Sequence, residues 1–273
     1  MWKYLTIVLL FLASLVYAGY YLYRFDKKNS GVKSAMALEQ PAKTIESDAQ
    51  QAETPILPPH LTEDFWKTTT PQELEQELKT ISSVNEVRPD DKKSMLHLLV
   101  EHGSYPEMVK MLIDAGVDYK LKDEVTDNNG DLDNRTALFY SVLREEQAFE
   151  FTQALLEYDD VNSFANTKAT VLITAVYNRV SINIVQLLLE KGADPNIKIL
   201  PPISANALIT ASAPNLFTGE SYINPQVIQL LLDHNVDITA KDDFGRNALD
   251  YMKENKEFKK TELFKKLSDQ FSE

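Results

Sequence analysis

The sequence contains no cysteine, which excludes disulfides, thiolate metal sites and cysteine nucleophiles. Histidine is scarce too: His60, His97, His102 and His234 form no i, i+4 ligand pair and join no spaced cluster with Asp, so no metal site is expected. The eight glycines build no Gly-rich phosphate loop and no G-x-S-x-G elbow, and no isolated carboxylate pair stands out for acid–base work. Positive charge is short as well. Against 41 acids stand 28 bases, a net charge of −13, and a field of that sign repels phosphate backbones. The expectation is a non-catalytic chain without cofactor, small-molecule substrate or nucleic acid, whose partner is another protein with a basic surface.

The charge is unevenly placed: residues 1–33 carry a net +4 and residues 34–273 a net −17. From Tyr4 to Tyr23 runs YLTIVLLFLASLVYAGYYLY, without a formal charge. Twenty residues at 1.5 Å rise span about 30 Å, the hydrocarbon thickness of a bilayer, and the terminal tyrosines suit the interface. Residues 1–25 therefore read as a single-pass anchor, with a signal peptide cut near Ala18 as the alternative. The basic flank after the span favours a cytoplasmic domain at a bacterial inner membrane by the positive-inside count, and the periplasmic side is the close alternative. Residues 26–61 are rich in Ala, Gln, Glu, Lys, Ser and Pro without sustained periodicity, the composition of a disordered tether.

Beyond the tether, one phrase recurs. LLLEKGADPN at 187–196 reads as a helix end, with Lys191 in the last turn and Gly192 free to take the left-handed conformation. MLIDAGVDYK at 111–120, LLEYDDVNSF at 155–164 and LLLDHNVDIT at 230–239 are degraded copies. Helix starts recur as well: SMLHLLVEHG, RTALFYSVLR, ATVLITAVYN, ANALITASAP and RNALDYMKEN align on Leu96, Leu138, Leu172, Leu208 and Leu249, spaced 42, 34, 36 and 41. Each start is followed by a turn and a more apolar second helix, with Pro106 and Pro225 at first-turn positions. Such a period means an array of helix pairs that bury their apolar faces only against one another.

These motifs resemble the ankyrin repeat family, and the apolar N-terminus resembles its bacterial-type, membrane-anchored members. Ser94, Met95, Leu96 and His97 match the T-P-L-H start, and Gly192, Ala193, Asp194 and Asn196 match the G-A-D-x-N close. Ala115 to Asp118 match it nearly, and Asp242, Asp243, Phe244 and Gly245 resemble the D-x-x-G lead-in to the next unit. The resemblance covers residues 62–273 and implies an all-α solenoid of about five units plus caps, with β-hairpin-like fingers. PQELEQELKT would be the second helix of a first, capping unit, and the lysine-rich helix 257–271 the terminal cap. Tyr158, Asp159 and Asp160 replace Gly-Ala-Asp, and Pro214 to Asn224 lengthens an inter-helix loop, so the third and fifth units are expected to be locally irregular.

The resemblance also implies a function: protein binding on a concave, acidic face of first helices and fingers. Carried over position by position, it puts Leu98, Glu101, Tyr140, Arg144, Thr174, Tyr177, Thr210 and Tyr251 on that face. Tyr119, Asp242 and Phe244 fall near the fingertips. Tyr140 and Tyr177 read equally well as packing between units. Two sharper roles are an immunity protein that neutralises a membrane-acting, phospholipase-type toxin and an accessory subunit of a membrane enzyme or transporter. His97 takes the structural histidine of the T-P-L-H element. The acidic run DEVTDNNGDLDN at 123–134 lacks the spacing of an EF-hand and is expected to be a solvated hairpin finger.

Overall fold

The computed structural model describes residues 57–126, 132–165, 169–199, 203–214 and 221–270. The anchor expected over Tyr4–Tyr23 and most of the tether lie outside these residues; among those described, no helix is long and apolar enough to cross a membrane. Twelve α-helices are described, all short. They are α1 (Glu63–Thr68), α2 (Pro71–Glu77), α3 (Met95–His102), α4 (Met108–Asp114), α5 (Ala137–Ser141) and α6 (Ala148–Leu155). There follow α7 (Val171–Tyr177), α8 (Ile182–Glu190), α9 (Ala207–Ser212), α10 (Pro225–Asp233), α11 (Ala248–Met252) and α12 (Glu262–Gln270). Helices of five to nine residues are marginal on their own, so each depends on its neighbours. The first helices α1, α3, α5, α7, α9 and α11 stack in one layer, and the second helices α2, α4, α6, α8 and α10 in another.

The sequence explains both ends of these helices. Ser94, Thr136, Thr170 and Asn206 occupy one equivalent N-cap position and are all buried; the Thr170 and Asn206 side chains accept from the N–H three residues on, which satisfies a donor the helix cannot. Leu96, Leu138, Leu172, Leu208 and Leu249, the residues that set the repeat register, lie in one continuous core. At the other end, Gly116 and Gly192 take φ of 95° and 92°. Val117 N–H then reaches Leu112 O, and Ala193 N–H reaches Leu188 O, closing the helix as the sequence predicts for Gly192. Asn235 does the same at φ 58° with a side chain.

The second half of the recurring phrase ties unit to unit. In each turn the acid accepts from an amide two residues on, as Asp194 does from Asn196 and Asp237 from Thr239, both at 2.8 Å. The asparagine then crosses to the next unit. Asn85 donates to Gly116 O at 3.1 Å and accepts from Asp118 N–H at 2.7 Å; Asn162 does so with Gly192 and Asp194, and Asn196 with Asn235 and Asp237. Lys120 stands at the equivalent place in the second unit, facing the turn of Tyr158, Asp159 and Asp160. There the rung is missing, and Asp160 N–H turns instead to its neighbour Asp159. The irregularity expected at the third unit is therefore a gap in a ladder of side-chain bonds.

Other expectations need correction. The described fingers contain no strand: single antiparallel bridges, Val87 with Ser94, Thr126 with Leu132 and Phe164 with Thr170, close them. The finger at 123–134 is not solvated throughout: among its described acids Glu124 is exposed, but Asp123 is 0% and Asp133 4% exposed. Packed structure starts ahead of residue 62, with His60 and Leu61 buried in a 3-10 turn, Pro59–Leu61. Helix α1, with fully buried Trp66, was not legible as a separate helix, although Thr62 caps it and Glu63 and Asp64 open it. The last helix is broken by a second 3-10 turn, Phe258–Lys260, before α12. A groove of about 550 Å³, lined in part by Leu232, Val236, Leu263 and Leu267, opens between α10 and α12.

If the asparagine rungs bind the units together, Asn162→Ala and Asn196→Ala each cost about 1–2 kcal/mol, two hydrogen bonds apiece. Lys120→Asn, which offers the missing rung, gains about 0.5–1 kcal/mol. Urea unfolding of the three variants checks this; a destabilising Lys120→Asn would contradict it.

Candidate protein-binding face

The outward side of the first helices and the fingers that lead into them form one face, and most of the residues expected there are brought to it already occupied. Tyr140 is the clearest case. Its hydroxyl donates to Oδ2 of fully buried Asp123, whose Oδ1 accepts from Arg135 N–H at 2.7 Å. Asp123 N–H in turn donates to Arg135 O at 3.0 Å. Burial first, and then the Asp123 carboxylate, pushes the Tyr140 hydroxyl well above its ordinary pKa, so it stays a donor. The Tyr140 ring also lies edge-on to His97 at 5.7 Å and under Lys93 at 4.8 Å.

The same device recurs at the last finger. Tyr251 donates to Asp242 Oδ2 at 2.5 Å, and Asp242 Oδ1 accepts from Phe244 and Arg246 N–H. The Arg246 guanidinium covers the Tyr251 ring at 3.8 Å. In both places the finger aspartate and a tyrosine five residues after the arginine lock the finger to its helix. This pattern is D…R-[TN]-A-L-x-Y, legible in retrospect at Asp123, Arg135 and Tyr140 and at Asp242, Arg246 and Tyr251.

Arg144 is a staple as well. Its guanidinium reaches back to the preceding unit, donating to Val100 O and, at 2.9 Å, to Gly103 O, the uncapped carbonyls at the end of α3, and it lies over Phe151 at 4.2 Å. Burial lowers its pKa, though an arginine keeps its charge. His97 bridges the same junction from the other side: Nδ1 accepts from Ser94 N–H at 3.2 Å, so Nε2 carries the proton donated to Arg135 O at 2.9 Å. Burial holds the His97 ring below its usual pKa. Glu101, pushed up by burial and opposed by Lys93, meets Lys93 at 2.7 Å.

The remaining expected residues divide by exposure. Leu98 is 0% and Asp242 6% exposed, so neither is open to a partner. Thr174, Tyr177 and Thr210 are half-buried along the face, with Thr210 Oγ1 bonded to Asn206 O at 2.9 Å. Tyr119 is half-buried against Tyr158 at 6.3 Å and under Lys120. Phe244, 53% exposed at the last finger, is the large apolar side chain that projects most among those expected. The structure adds three that the motif mapping missed. Leu132, 40% exposed, projects from a finger, while Phe149 and Tyr222, at 37% and 59%, project from the inter-helix side, where Arg179 covers the Tyr222 ring at 5.4 Å. No spacing rule separates such residues from core aromatics. Among the described residues no group of three His, Asp or Glu could hold a metal ion. Exposed acids sit on the second helices, for example Asp114, Glu150, Glu190 and Asp233.

Stacked helix pairs, capped turns and fingers define a repeat solenoid. The family model for ankyrin repeats matches residues 96–199 in 3 copies. The chain is similar to the crystal structure of the ankyrin repeat domain of Bcl-3, described as a unique member of the IkappaB protein family. Identity is 26%, over 71% of this chain and 76% of that one, with a TM-score of 0.54. It is also similar to the ankyrin repeat protein EF0377, at 25% identity over 73% of this chain and 91% of that one, with a TM-score of 0.55. Among curated proteins none matches. Residues 96–199 are ankyrin repeats, and ankyrin repeats are protein–protein interaction modules.

Because the tyrosine locks are internal, Tyr140→Phe should cost about 1–3 kcal/mol, the loss of a donor to a carboxylate with no access to water. Tyr251→Phe should cost less, since its ring is half-exposed. Thermal unfolding compares the two; equal, negligible losses would contradict the lock.

Proposed function

We propose that this chain is a non-catalytic module that binds another protein through the face of first helices and fingers. The observation that carries the reading is the row of half-buried Thr174, Tyr177 and Thr210, ending at the exposed ring of Phe244. Aromatic rings on rigid elements are what interface cores favour, and they lose little conformational entropy on binding. Charges elsewhere on this face are already spent on one another, as in Lys93 with Glu101 and Arg246 with Glu254. The net negative charge then acts at long range: it raises the encounter rate of a partner with a basic surface, and the contact itself is made by neutral groups. We further propose that the Tyr4–Tyr23 run tethers the module to a membrane, with the domain on the cytoplasmic side as the basic residues following that run favour.

Tyr140 and Tyr251 are poor probes of this face, because removing either disturbs a lock. Phe244→Ala and the pair Thr174→Lys, Thr210→Lys leave the locks intact. Capture of a partner from a lysate of the parent cells by the full chain should fall roughly tenfold or more, equivalent to about 1.4 kcal/mol, with the melting temperature unchanged. Unaltered capture by both variants would refute the assignment of the face. Recovery of the full chain in the soluble fraction after cell rupture would refute the tether.

A further inference from the structure

The N-terminal cap unit holds a histidine in an arrangement that the binding reading does not use. His60, 4% exposed, lies in the 3-10 turn Pro59–Leu61 that leads into α1. Its Nδ1 is 3.1 Å from Glu77 Oε1 at the end of α2, and its Nε2 is 3.2 Å from Glu86 Oε2 in the first finger. Glu86 is held from the other side by Ser82 Oγ at 3.1 Å. The main chain of His60 is engaged as well: its carbonyl accepts from Trp66 Nε1–H at 3.0 Å, and Trp66 is 0% exposed. Three separate pieces of the cap thus meet at one imidazole, and the main buried aromatic of the cap is bonded to the same residue.

Ionised carboxylates only accept hydrogen bonds, and a neutral imidazole has one donor and one acceptor. Both contacts of His60 are therefore satisfied together only when both ring nitrogens carry protons. With one proton gone, a lone pair of the buried ring faces a carboxylate oxygen across about the same distance, a mismatch that is costly at the ring, while Glu77 and Glu86, 23% and 34% exposed, can turn to water instead. Charged groups on the elements packed against the turn are Glu63, Asp64 and Lys67 on α1 and Glu101 and His102 on α3. Arg88 follows Glu86 in the finger and is engaged with Asp90 and Asp91. Among the described residues, only Glu77 and Glu86 form ion pairs with the His60 ring.

We propose that His60 is a proton-dependent latch on the N-terminal cap: doubly protonated, it ties the leading turn, α2 and the first finger together, and loss of one proton frees a glutamate and loosens the cap. The sign follows from the geometry. The latched contacts are present while both ring nitrogens carry protons and are lost when rising pH removes one of them. Loosening exposes Leu61 and Trp66 at the leading edge of the stack.

The test uses the full chain with Trp2→Phe, which leaves Trp66 as the single tryptophan. Acrylamide quenching of Trp66 should rise severalfold as pH increases across the histidine range, with the far-ultraviolet circular dichroism unchanged. In Glu77→Gln, Glu86→Gln the amides can donate or accept, so the rise should disappear; His97, His102 and His234 are untouched and act as internal controls. Flat quenching in the unsubstituted pair, or the same rise with both glutamates replaced, would overturn the latch. Should the double variant not fold, the ¹⁵N shifts of the His60 ring in the otherwise unsubstituted chain decide: two protonated nitrogens in the closed cap are expected, and a neutral ring there overturns it.

Discussion

Everything in this domain depends on the packing of one short helix against the same helix of the next unit. A five-residue helix such as Ala137–Ser141 forms too few internal hydrogen bonds to stand alone, and its apolar face is covered only when a neighbour covers it. The aligned leucines do most of this, and the side-chain bonds between units set the spacing. Stability of such a stack is close to a sum of units and junctions, so the junctions deserve to be compared one by one.

They are not equivalent. Asn85, Asn162 and Asn196 close three turn junctions with paired bonds to the next backbone, and the second junction lacks its asparagine. That junction is the one secured on the opposite side by His97 and Arg144, which span it to Arg135, Val100 and Gly103. One edge of the stack is thus fastened and the other left open at the same place. This distribution explains why residues at face positions turn out to be fasteners: Arg144, Tyr140 and Tyr251 hold the solenoid before they can touch anything else. On the proposed reading, what remains for a partner is the neutral row between them and the projecting Phe244.

The repeat register, the helix pairs, the capping glycines and the polar helix starts were legible because each is a local rule repeated several times, so that Leu96 or Gly192 is read against its own copies. The irregular third unit was legible for the same reason, as a departure from the copies. The N-terminal cap resisted because it occurs once. Nothing in the LTEDFWKTTT segment repeats elsewhere, and only burial reveals that Trp66 belongs to the core and that His60 bridges two glutamates. The proposed binding face was half legible. A motif puts Tyr140 on the helix Ala137–Ser141 and Arg144 just beyond its end, but whether a side chain there turns to a buried carboxylate, to a carbonyl of the preceding unit or to solvent is decided by partners 17 and 44 residues away, which no local pattern encodes.

The unevenness of the junctions is the central claim, and native-state hydrogen exchange measures it most directly. The amides of Asp118, Asp194 and Asp237 are each bonded to an asparagine of the preceding unit, whereas that of Asp160 is bonded only to its sequence neighbour. On this account Asp160 exchanges fastest of the four at low denaturant, while the other three open only with their junctions. Protection of Asp160 equal to that of Asp194 and Asp237 would show that the ladder does not distinguish the junctions, and the account would fail.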